Sequence, residues 1–246
     1  MIDLHCHILP GLDDGARDLD DAVAMAGQAQ ADGIRLICAT PHIRQDHDVL
    51  IGELGERVAQ LRAALQRAGI AVGVAPGGEV AEAIVDALDD EDLERVSLGG
   101  GRRWILLEPA AGPLGGSLTA AAARLAQRDY RSLIAHPERH VSADLSERLA
   151  ELVEQGSLVQ ATAQHVLDPG TGEGMVELVR RGLVHVLGSD AHSSRAGRPV
   201  ALAAALERLA GIDPVAMHLE WVSLEAPRAI VAGEDLQSPF PPAPQG

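Results

Sequence analysis

Short, almost wholly apolar runs alternate with helix-type stretches through most of this chain. The runs are Met1 to His5, Ile34 to Ala39, Ala71 to Gly77, Trp104 to Glu108, Ser132 to His136, Leu158 to Ala161 and Val184 to Ser189. Runs without polar alternation suit strands covered on both faces. The stretches between them carry helix punctuation. Asp18 to Ala31 starts with acids and stops before Gly33, Val49 to Ala68 stops at Gly69, and Met175 to Arg181 stops at Gly182. Ser117 to Arg128 and Asp144 to Gln155 have Ser117 and Asp144 as candidate N-caps. Regular β-then-α order predicts a mainly parallel sheet with crossover helices. Seven strands in one uninterrupted series predict an α/β, TIM-like barrel. The acidic stretch from Pro76 to Asp92 reads as loop and is too short to divide domains. One domain over residues 1–237 is expected, followed by a Pro-rich frayed tail, 238–246.

Composition narrows the function. Acids outnumber Lys plus Arg by 36 to 20, for a formal charge of −16, so a nucleic-acid backbone is not the expected partner. No run is long and apolar enough for a membrane helix. The opening Met1-Ile-Asp-Leu-His lacks the features of a secretory signal. Two cysteines, Cys6 and Cys38, make no disulfide framework, so a reducing cytoplasm is expected.

The chemistry-bearing residues fall in one place on this map. His5 and His7 follow the first strand, His42 the second and Glu79 the third. Glu108 ends the fourth run, His136 ends Leu-Ile-Ala-His, and Asp190 and His192 follow the last. In a parallel barrel the C-terminal strand ends share one face, where catalytic residues gather. Imidazole and carboxylate donors suit Zn, Mn and Fe. His5 and His7, two apart on an extended segment, point the same way and leave Cys6 on the other side. An isolated charge at Glu108 would be costly, and a carboxylate bridging two cations would remove that cost. Paired metals suit phosphate-ester hydrolysis. His47, His140, His165 and His218 read as surface or loop residues, and His185 as a core histidine. The Cys-x5-Arg loop of thiol phosphatases is absent, so covalent thiol catalysis is not expected.

These segments resemble a known family. Met1-Ile-Asp-Leu-His-Cys-His-Ile-Leu-Pro-Gly-Leu-Asp-Asp-Gly-Ala is similar to the opening of the PHP-type (polymerase and histidinol phosphatase) bacterial protein-tyrosine phosphatases of capsule and exopolysaccharide loci. Ala39-Thr-Pro-His42, Gly78-Glu79, Leu107-Glu108-Pro109, Ile134 to His140 and Gly188 to His192 resemble its other blocks in order. The resemblance spans Met1 to about Arg198. It departs at Cys6, where the family usually has Ser, and at Thr162-Ala-Gln164, where it often has Thr-Ala-Ser.

The resemblance implies a distorted (β/α)7 barrel with three divalent metals, commonly manganese. It implies that His5, His7, Glu108 and Asp190 hold one ion. Glu108 would bridge to a second, with Glu79 and His136, and Asp14, His42 and His192 would hold the third. It makes Arg139 a phosphate ligand and Arg198 a second one. Catalytic work would fall to His136, Arg139, Asp14 and His42. The implied activity is hydrolysis of protein phosphotyrosine, on the tyrosine-rich tail of a kinase that governs polysaccharide assembly. A small-molecule phosphatase acting on a substrate such as histidinol phosphate would use the same metals. A nuclease is disfavoured by charge.

Overall fold

The computed structural model describes residues 1–240. Among the described residues nine strands form, all paired in parallel: β1 (Ile2–Cys6), β2 (Leu36–Ala39), β3 (His42–Ile43), β4 (Gly73–Pro76), β5 (Glu79–Ala81), β6 (Trp104–Glu108), β7 (Arg131–Ile134), β8 (Leu158–Thr162) and β9 (Val186–Gly188). One sheet has the order β1-β2-β4 and the other β3-β5-β6-β7-β8-β9. β2 runs into β3 past Thr40-Pro41, and β4 into β5 past Gly77-Gly78, so the strands make seven broken or whole staves. The ends of β1 and β9 meet through Asp190 N–H on the His5 carbonyl at 2.8 Å and His7 N–H on the Ala191 carbonyl at 2.9 Å. This is the expected barrel, distorted by its two broken staves.

The helices are α1 (Leu19–Asp32), α2 (Leu54–Ala68), α3 (Asp90–Val96), α4 (Gly116–Gln127), α5 (Leu145–Glu154), α6 (Ala163–Leu167), α7 (Gly172–Arg180), α8 (Ala203–Leu209) and α9 (Ala226–Ala232). Asp18 caps α1 by accepting from Asp21 N–H, and Gly33 and Gly69 end α1 and α2 in the left-handed conformation. Asp144 does precede α5, but Ser117 is not a cap. Gly115 holds that position, and the Ser117 hydroxyl donates to Glu82 instead. The acidic stretch expected as loop contains β5, a 3-10 helix at Glu82–Ala87 and the first turn of α3. Asp89 caps α3, whose first turn holds Asp90, Glu91 and Asp92, so the acids there favour a helix start.

The apolar runs are apolar because both faces of the sheet are covered. Along β6, Ile105 and Leu107 join the large cluster that includes Met25, Leu61, Leu125 and Leu149 from the helices. Trp104 and Leu106 face the other way and join Leu4, Leu133 and Val186 with Ala226 and Ile230 of α9. Glu108 continues the face of Trp104 and Leu106. Of the segment expected as tail, Phe240 is buried and meets Trp221 edge-on at 5.2 Å. The packed chain therefore reaches residue 240, because one large aromatic ring finds an apolar seat; 241–246 lie outside the described residues.

His185 is the core histidine expected. Its Nδ1 accepts from Val159 N–H at 3.1 Å, and burial pushes its pKa down to about 3. The ring stays neutral when folded but takes a proton when unfolded near pH 6.5. Its contribution to stability is thus full above that pH and lost as pH falls towards the folded value. Between pH 7 and 5 the wild type should lose about 2 kcal/mol more unfolding free energy than His185→Asn, which keeps an acceptor at the Nδ1 position. Denaturant titrations at both pH values measure this, and parallel losses in the two proteins would refute it.

Candidate metal and phosphate centre

Every strand-end residue singled out from the sequence arrives at one face. His5 and His7 lie at the end of β1, His42 opens β3, Glu79 opens β5, Glu108 ends β6, and His136 and Asp190 follow β7 and β9. All of these are at least nine-tenths buried. The backbone turns sharply at His136 (φ 36°) and Asp190 (φ 49°), a left-handed conformation that costs energy for a residue with a side chain. The turns aim both side chains at the others. Gly78 lets β5 approach β3, since a Cβ there would lie 2.7 Å from Ile43 Cγ1.

Glu79 is the hub. Its Oε2 lies 3.3 Å from His5 Nε2, 3.3 Å from His7 Nε2 and 3.0 Å from His42 Nδ1, while Oε1 lies 2.7 Å from His136 Nε2. Asp190 Oδ1 is 3.4 Å from His5 Nε2 and 3.5 Å from His7 Nε2. Glu108 was expected to bridge, but it stands aside. Its Oε2 lies 3.6 Å from His42 Nδ1, and its Oε1 accepts from Arg44 at 3.2 Å. It is the Glu79 carboxylate that β5 brings between the β1 and β7 histidines. Asp14 Oδ1 lies 3.5 Å from both His42 Nε2 and His192 Nε2, and its side chain is 61% exposed, so this third group forms the rim.

The tautomers are set from outside. The His5 Nδ1–H donates to Gln160 Oε1 at 2.8 Å, and the His7 Nδ1–H donates to Asp13 Oδ2 at 2.8 Å. In neutral rings this leaves lone pairs on both Nε2 atoms, which face each other at 3.2 Å. Two converging lone pairs beside two carboxylates demand a cation. Glu79 Oε2, His42 Nδ1 and His136 Nδ1 are also buried without a hydrogen bond. The donors therefore fit divalent metal ions bound by nitrogen and oxygen.

The same demand shows in proton affinities. Burial opposes charging His5, yet Glu79 and Asp190 win and raise its pKa. Burial likewise opposes charging His42, but the Glu108 and Glu79 carboxylates beside its ring raise its pKa to about 9. His192 goes the other way, to about 4, through burial and the charge on His7. For Glu79 and Asp190 burial is outweighed chiefly by the pull of His5, and both carboxyls are held below the carboxylate range.

Both expected phosphate ligands reach the centre. Arg139 donates to Asp190 Oδ2, and Arg198 forms an ion pair with the same oxygen at 3.0 Å while its Nε–H donates to the Asp190 carbonyl at 2.8 Å. Arg44 was not expected. It lies beside Arg139, Arg198 and the Asp14 rim around an open space of about 410 Å³. Asp13 was also missed. Its carboxylate takes the His7 ring, Gly15 N–H and His42 N–H together. Gly15 allows the loop to fold back, since a Cβ there would lie 2.2 Å from the His7 carbonyl oxygen. Nothing in Asp13-Asp14 tells the two acids apart before folding. Gln160 was hidden inside an apolar strand.

Of the histidines placed outside the pattern, His140 is no surface residue. It is buried and stacks on His136 at 5.8 Å because the turn after β7 folds it inward. His47 stacks on His42 at 5.1 Å. Cys6 points away from the centre, towards the Ala191 carbonyl. Burial raises both thiols, Cys38 to about 12, so neither is a nucleophile.

Known proteins share this arrangement to different depths. The family profile described as "Capsular polysaccharide synthesis, CpsB/CapC" matches residues 1–215. The tyrosine-protein phosphatase YwqE of Bacillus subtilis is 33% identical over 203 residues, 78% of each chain. The putative tyrosine-protein phosphatase CapC of Staphylococcus aureus is 26% identical over 200 residues, 78% of this chain and 77% of its own. A chain from the crystal structures of Bacillus subtilis YwqE and Streptococcus pneumoniae CpsB, described as unique metal-dependent tyrosine phosphatases, superposes with a TM-score of 0.82 at 28% identity and covers 98% of both chains. A histidinol phosphate phosphatase of Lactococcus lactis shares the fold, with a TM-score of 0.53 at 14% identity over 91% of this chain and 95% of its own. With its barrel, its strand-end histidines and the match over residues 1–215, the chain belongs to the CpsB/CapC family of capsular polysaccharide synthesis.

Proposed function

We propose that this chain is a metal-dependent phosphoric monoester hydrolase that removes phosphate from tyrosine side chains of proteins. The observation that carries the reading is the pair of imidazole nitrogens, His5 Nε2 and His7 Nε2, turned towards each other at 3.2 Å between Glu79 and Asp190. Arginines stand at the mouth of the same group. Cation donors inside and phosphate donors outside describe a site for a phosphate ester. The tyrosine-phosphatase names of the relatives favour an aryl ester.

His5, His7 and Asp190 would hold one ion, and Glu79 would join it to a second near His136 and Glu108. Asp14, His42 and His192 would hold a third, with manganese the first choice and iron or zinc also suited to these donors. Bound divalent ions supply a Lewis acid for the phosphate oxygens and lower the pKa of water towards neutrality. The protein's part is to place and balance charge. Asp13 and Gln160 fix the His7 and His5 rings so that Nε2 faces inward. Arg139 and Arg198 present guanidinium forks to the phosphate oxygens. A phenolate, with a pKa of about 10, leaves with less proton assistance than an alkoxide. Asp14, exposed at the rim, and His42 beside it are the groups placed to move a proton.

The open mouth suits a flexible substrate segment, such as the tyrosine-rich tail of a kinase that governs polysaccharide assembly. A cytoplasmic setting would keep Cys6 and Cys38 as thiols. Among the described residues, no helix is long and apolar enough to cross a membrane.

The test is turnover of a phosphotyrosine peptide and of histidinol phosphate with manganese present. The peptide should be the better substrate. An inert peptide beside a hydrolysed histidinol phosphate would defeat the reading. His136→Ala should lower kcat/KM on the peptide by about 10²-fold or more with an unchanged circular dichroism spectrum. Near-normal turnover in that variant would remove His136 from the centre. Asp13→Asn should weaken manganese binding about 10–100-fold by calorimetric titration, since the His7 ring loses its charged partner. Unaltered affinity would show that Asp13 does not orient His7.

A further inference from the structure

A second space adjoins the centre. A cavity of about 410 Å³ opens between the end of β5 and the 3-10 turn that follows it, at Ala81 and Ala83, and the loop after β6, at Pro109 to Gly112. This size falls within the roughly 300–1,000 Å³ of small-molecule sites. Glu108, His136 and Arg139 form its inner wall, and Arg139 also borders the space over Asp14, His42 and His192. A molecule with its phosphate among the arginines would therefore point its remaining atoms into this cavity.

The chemistry of the walls changes along that path. Charged groups border the centre. Arg44 and Glu82, whose carboxylate accepts from the Ser117 hydroxyl, also line the cavity, while Ala81, Ala83, Ala110 and Ala111 offer only methyl groups beside the Pro109 ring. His140 adds a flat ring. Its Nδ1–H donates to the Gly112 carbonyl at 2.7 Å, which leaves Nε2 a bare acceptor, and that atom is buried with no partner in the protein. A buried acceptor without a partner is a group that a bound molecule can satisfy.

We propose that this cavity receives the aromatic ring of an aryl phosphate whose phosphate is held at the centre, and that its small-residue walls select aryl over small alkyl esters. The proposal rests on the centre being a phosphate-ester site, as proposed above. Ring burial against methyl groups favours an aryl ligand because it removes apolar surface from water.

Non-hydrolysable ligands separate binding from turnover. On manganese-loaded protein, calorimetry should show phenylphosphonate binding about tenfold tighter than methylphosphonate. Ala111→Trp and, from the opposite wall, Ala83→Trp should each remove that preference while methylphosphonate affinity stays within about twofold. Both alanines are exposed, so the fold should tolerate the substitutions. No phenylphosphonate binding, equal affinities in the wild type, or a preference that survives both substitutions would overturn the proposal. Peptide turnover measured in parallel distinguishes the two ideas. An inert phosphotyrosine peptide with an intact phenyl preference defeats the phosphotyrosine function and leaves the cavity standing. Turnover without the preference does the reverse.

Discussion

The centre is organised by charge that the protein alone does not neutralise. Glu79 and Asp190 are buried among imidazoles whose outward nitrogens are already tied to Gln160 and Asp13. Their inward nitrogens therefore meet lone pair to lone pair. The carboxylates draw protons onto His5 and His42, the same donors proposed above to hold divalent cations. The raised imidazoles and the depressed carboxyls are two views of this one constraint.

The distortion of the barrel serves this arrangement. Were β2 and β4 unbroken, His42 and Glu79 would follow the pleat of their strands. The interruptions at Thr40-Pro41 and Gly77-Gly78 start β3 and β5 afresh in the second sheet, where His42 pairs with Glu79 in register. That pairing brings a histidine and the hub carboxylate side by side. The closing seam between β1 and β9 does the same for His5 and Asp190. Below the centre, Leu4, Leu106, Leu133 and Val186 fill space against α9, so the donors are carried on rigid strands.

Much of this was legible beforehand. Apolar runs follow from two-sided burial, and β6 shows why, with Ile105 and Leu107 on one face and Trp104 and Leu106 on the other. Strand-end histidines follow from barrel geometry. Other features had no local signal. Asp13 and Asp14 are adjacent acids, yet one is held by the His7 ring and the other stands at the rim. His140 lies in a turn and reads as exposed until the chain folds it against His136. The acids of 89–92 suggested loop because charge repels, whereas at a helix start they cap and complement the dipole.

By itself, the sequence determined the alternating α/β architecture and the gathering of His, Asp and Glu at the strand ends, and hence a candidate cation centre. Those follow from periodicity and donor chemistry, which are local. Only the tertiary structure decided that Glu79 rather than Glu108 stands among four histidines. It also decided that Asp13 and Gln160 fix the ring tautomers, and that a cavity with four alanines in its wall adjoins Arg139. Those depend on distances between segments far apart in the chain, which packing sets and spacing does not encode.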